Sequence, residues 1–316
     1  MAISLEAIET ARGRIAGTAI RTPTIRLNVD DAPPEIFLKL ESLQPIGSFK
    51  LRGAANRMLS ADRAELEQGV WTASAGNMSQ GVAWCARLLG VGCAVVVPET
   101  APQTKLEATR RLGARIVSVS IDEWLECFVT HEHPAMHGLF VHAFDDPDVM
   151  AGNGTAGLEL LEDVPDVDAV VIPYGGGGLA CGIASAVRTL RPQAKVYAVE
   201  VDTGAPLAAS LAAGKPVRVD YMPSFVDGIG SPMVFDGVFE LSQRLLDGSI
   251  VVSREEIAAA LRLLVDRNHV VAEGAGAAAV AAALRGDAGG GKVACIVSGG
   301  NIDAATLATI LSGAVP

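Results

Sequence analysis

The sequence predicts an α/β protein of two domains, with parallel-rich sheets flanked by helices. Short apolar runs alternate with longer segments of helical periodicity, the pattern of βαβ units. Most of these runs are rich in β-branched residues and apolar nearly throughout, as strands covered on both faces are. The chain has 316 residues, about two domains at roughly 150 residues each.

The expected strands are Ile36–Leu40, Ala94–Val97, Arg115–Val119, Ala169–Ile172, Val196–Val199 and Val293–Val297. The first expected helix, Lys50–Leu59, opens after the Gly47-Ser48 turn, and Ser79–Leu89 follows the small residues Ala73–Gly76. Thr100-Ala101-Pro102-Gln103 forms a loop into Thr104–Leu112. Gly178–Leu190 starts within a run of four glycines. Ser253 caps Arg254–Val265, and Glu255 and Glu256 suit the positive end of that helix. Ala275–Leu284 and Ile302–Leu311 complete the set, separated by a turn at Gly289–Gly291 before the last strand. The stretch from Ile121 to Pro147 lacks clear periodicity and reads as a crossing between domains.

Composition excludes several functions. Half the residues are hydrophobic and 19% are charged, so a large core is available and global disorder is excluded. A net charge of −11 argues against binding nucleic acid through its phosphates and against adsorption to anionic membranes. No apolar run approaches the roughly 20 residues that span a bilayer. Glu6, Glu9, Arg12 and Arg14 stand where a signal peptide would be apolar, so a cytoplasmic location is expected. The five cysteines include no CxxC pair and read as small buried hydrophobes.

Four stretches carry chemistry. In Gly47-Ser48-Phe49-Lys50-Leu51-Arg52-Gly53, a lysine opens a helix beside a second cation, which disfavours its protonated form. Read by itself, that stretch fits a solvated lysine at a helix start better than an amine nucleophile. Tyr174-Gly175-Gly176-Gly177-Gly178-Leu179 lies between a strand and a helix. There, backbone N–H groups and a helix N-terminus can cradle a phosphate. It is neither a GxGxxG fingerprint nor a P-loop. Thr72–Gly81 could hold a carboxylate at another helix start, with Asn77 as a donor, and a simple capped helix explains it equally well. Val297-Ser298-Gly299-Gly300-Asn301 ends the last strand, where α/β proteins bind ligands, and reads as readily as an ordinary turn.

In this order, the four stretches resemble the fold-type II (tryptophan synthase β-like) pyridoxal 5'-phosphate (PLP) enzymes, specifically the threonine/serine dehydratase and serine racemase family. Arg21-Thr22-Pro23, Lys39-Leu40-Glu41, Asp146–Gly152 and Ala272-Glu273-Gly274-Ala275-Gly276 belong to the same pattern, so the resemblance spans nearly the whole chain. It implies that Lys50 holds PLP as a Schiff base and later takes the substrate Cα proton. Phe49 would pack on the ring, Asn77 would bond the 3-oxygen, and Ser298 would face the pyridine nitrogen. Gly175, Gly176, Gly177, Gly178 and the Leu179 amide would bind the phosphate, and Ser74, Ala75, Gly76, Asn77 and Met78 the substrate carboxylate. The implied domains are 1–43 plus 143–316 (large, PLP-binding) and 44–142 (small, carrying Lys50 and the carboxylate loop). A homodimer is expected.

The implied reaction is β-elimination from a β-hydroxy amino acid, L-threonine or L-serine first, giving a 2-oxo acid and ammonia. Rivals are a dehydratase for 3-hydroxyaspartate, for a hydroxyectoine-pathway intermediate or for phenylserine, and a PLP- or amino-acid-binding protein without turnover. A Rossmann-type oxidoreductase ranks behind these. Ala75 stands where racemases of the family carry a serine, so weak racemisation is expected. Met78 replaces the usual His and predicts a less polar pocket on that side. Glu200 matches the family's first metal carboxylate, but Pro206 replaces the second, so no divalent-metal site is expected. His131, His133 and His137 read as a solvated loop rather than a metal cluster. With the chain closing at Pro316, no feedback control through a C-terminal regulatory domain is expected.

Overall fold

The computed structural model describes residues 3–30, 34–101 and 103–316, and Pro102 of the expected loop lies outside them. Ten strands form two sheets in the described residues. The larger runs in the order β1 (Thr24–Arg26), β2 (Glu35–Leu40), β10 (Lys292–Val297), β7 (Ala169–Pro173), β8 (Lys195–Val201) and β9 (Gly248–Val252). Only β1 is antiparallel to its neighbour. The smaller sheet is parallel, in the order β5 (Arg115–Val119), β4 (Cys93–Pro98), β3 (Val70–Ala73) and β6 (Leu139–Phe140).

Alternation along the strands divides the large sheet's core into two layers. Val170, Ile172, Val196, Ala198, Ala294 and Ile296 face α1 (Leu5–Ile15), α7 (Pro147–Asp163), α8 (Gly178–Leu190) and α10 (Asp236–Leu245). Val171, Val199, Val293, Cys295 and Val297 face α11 (Arg254–Asn268), α12 (Gly274–Arg285) and α13 (Ala304–Leu311). The small sheet packs with α2 (Lys50–Ser60), α4 (Asn77–Leu89) and α6 (Ile121–Thr130). The short α3 (Arg63–Leu66), α5 (Gln103–Arg111) and α9 (Pro206–Ala213) complete the helices. None in the described residues is long and apolar enough to cross a membrane.

All six expected strands and seven expected helices are present within a few residues, and Gly178–Leu190 matches at both ends. The last helix begins at Ala304 rather than Ile302. Ser253 caps α11 by accepting from the Glu256 N–H, while Glu256 accepts from the Ser253 N–H at 2.7 Å. The segment 121–147 departs from expectation. It opens with α6, whose Ser120/Glu123 capping box satisfies the first turn, and continues into β6. Irregular structure remains at 131–138, between α6 and β6, and in the crossing Val141–Asp146 that leads into α7.

Helix α7 was hidden for another reason. Gly152, Gly154 and Gly157 lower its intrinsic helix propensity, but a Cβ at Gly154 would stand 2.9 Å from the Gly182 carbonyl oxygen of α8. Close packing on α8 and α2 therefore demands the residues that weaken the sequence signal. Val149 to Leu161 are all buried, so tertiary packing decides the conformation.

Candidate active site

The turn before α2 is clasped to the turn after β10. Phe49 N–H donates to the Ser298 carbonyl at 3.0 Å, and Gly300 N–H donates to the Gly47 carbonyl at 2.9 Å. Asn301 Nδ2 adds a 2.9 Å bond to the Ile46 carbonyl. These bonds bring Lys50, first residue of α2, to the carboxyl end of the large sheet, beside buried Ser298. The Lys50 amine donates to the Ala143 carbonyl at 2.6 Å and lies 5.2 Å from the Phe49 ring centroid. Burial pushes its pKa down to about 8, while the Glu273 carboxylate pulls it up.

Arg52, expected to depress that pKa, has its charge engaged elsewhere. Its guanidinium bonds Glu41 at 2.7 and 2.8 Å, Glu159 at 2.7 Å, and Thr155 Oγ1 at 3.0 Å. Lys39 Nζ donates to Glu159 and to the Thr22 carbonyl, each at 2.6 Å, and Thr22 Oγ1 donates to Glu41 at 2.6 Å. Two cations and two carboxylates are thus paired, with Arg52 and Glu41 at most 1% exposed. Burial opposes the charge on Arg52, but Glu41 and Glu159 outweigh it and raise its pKa. The motifs around Thr22, Lys39 and Glu41 meet here and anchor α2 to β2 and α7.

The glycine loop continues β7 at its carboxyl end. Gly177 has a φ of +86°, and a Cβ on Gly176 would fall inside the Phe144 ring. Main-chain N–H groups at the start of α8 lack intrahelical acceptors, so the loop presents donors where an anion is favoured. Phe144 immediately follows Ala143, so one step of the crossing joins the Lys50 amine to this loop. His142 holds that step by accepting at Nδ1 from the Phe144 and Asp145 N–H groups at 3.2 and 2.7 Å.

The segment Ser74–Met78 leads from β3 into α4. Ser74 Oγ accepts from the Gly76 N–H at 3.2 Å, and Ser79 Oγ donates to the Gly76 carbonyl at 2.6 Å. Ala75 packs against the apolar cluster of Ala83 and Val95. The Met78 side chain is 1% exposed, within the cluster of Leu51 and Val82. Its side chain therefore belongs to the core, and its main chain belongs to the loop. Asn77 Nδ2 donates to Glu273 Oε1 at 2.8 Å, and Asn77 Oδ1 accepts from Asn301 Nδ2 at 2.8 Å.

Sequence reasoning gave no role to Glu273, Asn301, His142, Ala143 or Phe144. Glu273 lay within a motif that carried the resemblance, but its link to Asn77, 196 positions away, exists only in the folded chain. Nothing local marked the Ala143 carbonyl. His131, His133 and His137 line a cavity of about 660 Å³ with Glu123, Glu126 and Glu132. No group of three His, Cys, Asp or Glu is placed to hold a metal among the described residues. Glu200 accepts from the Leu207 and Ala208 N–H groups at the start of α9, each at 2.8 Å, and from Ser249 Oγ at 2.6 Å.

The chain belongs to the family described as pyridoxal-phosphate dependent enzymes, whose model matches residues 15–299. It is 42% identical over 306 residues to the L-threonine ammonia-lyase of Thermotoga maritima, covering 95% of this chain and 76% of that one. Identity to the catabolic L-threonine dehydratase of Escherichia coli K12 is 38%, over 98% and 96% of the two chains. A crystal structure of threonine deaminase from T.th. superposes with a TM-score of 0.87 at 36% identity, covering 95% of this chain and 99% of that one. Maize serine racemase gives 0.86 at 31%, covering 99% and 98%.

The protein is a PLP-dependent enzyme, and these likenesses put it with the ammonia-lyases of the family. The donor set fits the cofactor: a half-buried amine of lowered pKa suits an aldehyde carbon, and a glycine loop at a helix N-terminus suits its phosphate.

Proposed function

We propose that the protein eliminates the β-hydroxyl of L-threonine, L-serine or both as water, which is taken up again when the enamine product hydrolyses, so that the net products are a 2-oxo acid and ammonia. The Lys50 amine carries this reading: it is half-buried, of lowered pKa and hydrogen-bonded to the Ala143 carbonyl beside the glycine loop. Bound PLP supplies the electron sink that makes the substrate Cα proton removable. Lys50 would hold the cofactor and, as a free amine, would act as general base on the substrate Cα proton; burial increases its neutral fraction. Gly175, Gly176, Gly177, Gly178 and the Leu179 N–H hold the phosphate. Phe49 packs on the ring, and Asn77 donates to the 3-oxygen. Ser298, a neutral hydroxyl, faces the pyridine nitrogen. The segment Ser74–Met78 holds the substrate carboxylate at the start of α4, where partial positive charge favours it.

Within the same proposal, residues 44–142 form a small domain that closes on the remainder and excludes water. The small sheet, contained within residues 70–140, supports that division. A homodimer is supported by exposed apolar residues on adjoining segments. Ile20 and Leu43 flank Gln44, which bonds the Ile20 main chain both ways, while Val271 and Ser42 flank Gly300. Five free thiols suit the reducing cytoplasm. Ala75 offers no hydroxyl to reprotonate the opposite face, so elimination outruns racemisation.

The test is 2-oxo acid release by PLP-loaded protein from L-serine, L-threonine, both 3-hydroxyaspartate diastereomers and phenylserine. Turnover of threonine or serine, with D-serine formed from L-serine far more slowly than pyruvate, is expected. Turnover of another member alone would move the enzyme to a specialised dehydratase. D-serine formation at a rate comparable to pyruvate release would contradict the role given to Ala75.

A further inference from the structure

Glu273 occupies the cap position of α12 without capping it. Its main-chain N–H donates to the Gly299 carbonyl at 2.9 Å, and its side chain turns to Asn77. It is 7% exposed, so its carboxylate is largely withdrawn from water. The packing around it is close: a Cβ at Gly299 would collide with Glu273 Oε1. Asn77 from α4 and the main chain at Gly299 and Gly228 are among the groups facing it, and its charge acts on the Lys50 amine of α2.

The two hydrogen bonds on Asn77 determine which way its amide points. Asn301 Nδ2 can only donate, so the Asn77 atom facing it must be the oxygen. An ionised carboxylate can only accept, so the atom facing Glu273 must be the nitrogen. Asn77 therefore presents an NH2 group with a second hydrogen for an acceptor in the site. If Glu273 were removed, one of the two constraints on that orientation would go with it.

We infer that Glu273 is a positioning residue: its carboxylate orients the Asn77 amide to donate to the cofactor's 3-oxygen. Asn301 holds the other end of the same amide and ties it to the Ile46 carbonyl in the Lys50 turn. One chain of contacts thus aligns the 3-oxygen donor with the lysine. The charge of Glu273 also opposes the effect of burial on the Lys50 amine and so favours a proton on that nitrogen. This inference rests on PLP binding at Lys50.

The test compares Glu273→Gln, Glu273→Ala and Asn301→Ala by visible spectroscopy and PLP affinity. Gln keeps an acceptor for Asn77 and loses the charge. The long-wavelength band of PLP-loaded Glu273→Gln should therefore titrate about one pH unit or more below wild type. Its PLP affinity should fall no more than about threefold. Glu273→Ala loses both functions, and its affinity should fall about tenfold or more. Asn301→Ala should weaken PLP binding without moving the titration, and it gives a second reading should Glu273→Ala fail to fold. An unchanged titration in Glu273→Gln, or wild-type affinity in both alanine variants, would overturn the inference. A wild-type protein without the band would overturn the PLP site and this inference together. A band that vanishes only with Lys50→Ala would show the underlying site intact.

Discussion

The Lys50 amine donates a 2.6 Å hydrogen bond to the Ala143 carbonyl, one residue before the Phe144 ring that covers Gly176. A single step of the crossing between β6 and α7 therefore sets the amine against the glycine loop. The amine also sits in a partly water-excluded place, which gives it a measurable signature. In cofactor-free protein, the rate of Lys50 acylation should rise with a midpoint near the lowered value of about 8. A free lysine in solution, whose side-chain amine titrates near about 10.4, serves as the reference. Mass-spectrometric rates across pH 6–11, an interval of about five units around these values, would test this. Coincident midpoints would contradict it.

His142 carries a second pH dependence. Burial, then the charge of His131, lowers its pKa to about 3, and its Nδ1 is committed as an acceptor. The unfolded chain takes up this proton near pH 6.5. Between those values the unfolded state binds more protons, so this group's contribution to stability is lost as pH falls through the window. Denaturant unfolding from pH 7 to 4, about the span of that window, should show a shallower acid decline in His142→Asn than in wild type. Equal slopes would show that His142 is not the buried neutral base described here.

Arg52 should dominate the anchoring of α2. Arg52→Met leaves the buried Glu41 and Glu159 short of a partner, at a cost of about 3–5 kcal/mol. Chemical denaturation of the two proteins measures the difference directly. A loss below about 1 kcal/mol, the scale of an exposed pair, would contradict the picture of a closed network.

Glu200 uses its carboxylate on α9 and Ser249. Exhaustive chelation of divalent cations should change 2-oxo acid release by less than about twofold, since protein donors already occupy the carboxylate oxygens. Glu200→Ala should lower the melting temperature, because it strips the acceptor from two N–H groups of a helix start. A large loss on chelation, restored by Mg²⁺, would contradict this reading.

The fold was legible where strand and helix signals agree locally. Val293–Val297 and Gly178–Leu190 are examples, because a β-branched run and a glycine-led helix carry their own boundaries. It was not legible in α7, where glycines required for close packing imitate a breaker, nor in β6, whose two residues become a strand only by pairing with β3. The site divides in the same way. Lys50, the glycine loop and Asn77 sit in contiguous motifs and could be read from them. The opposed carboxylate of Glu273, the Asn301 clamp and the Ala143 acceptor depend on contacts between distant segments. Arg52 shows the limit most clearly: beside Lys50 in sequence it looked like a cation acting on the amine, and in the fold its charge is spent on Glu41 and Glu159.

The most direct measurement is borohydride reduction of the PLP-loaded protein, followed by peptide mapping of the pyridoxyl group over its six lysines. Label on Lys50, lost with both the visible band and 2-oxo acid release in Lys50→Ala, is the expected result. Stoichiometric label on Lys39, Lys105, Lys195, Lys215 or Lys292, with Lys50→Ala still active, would contradict the assignment of the site.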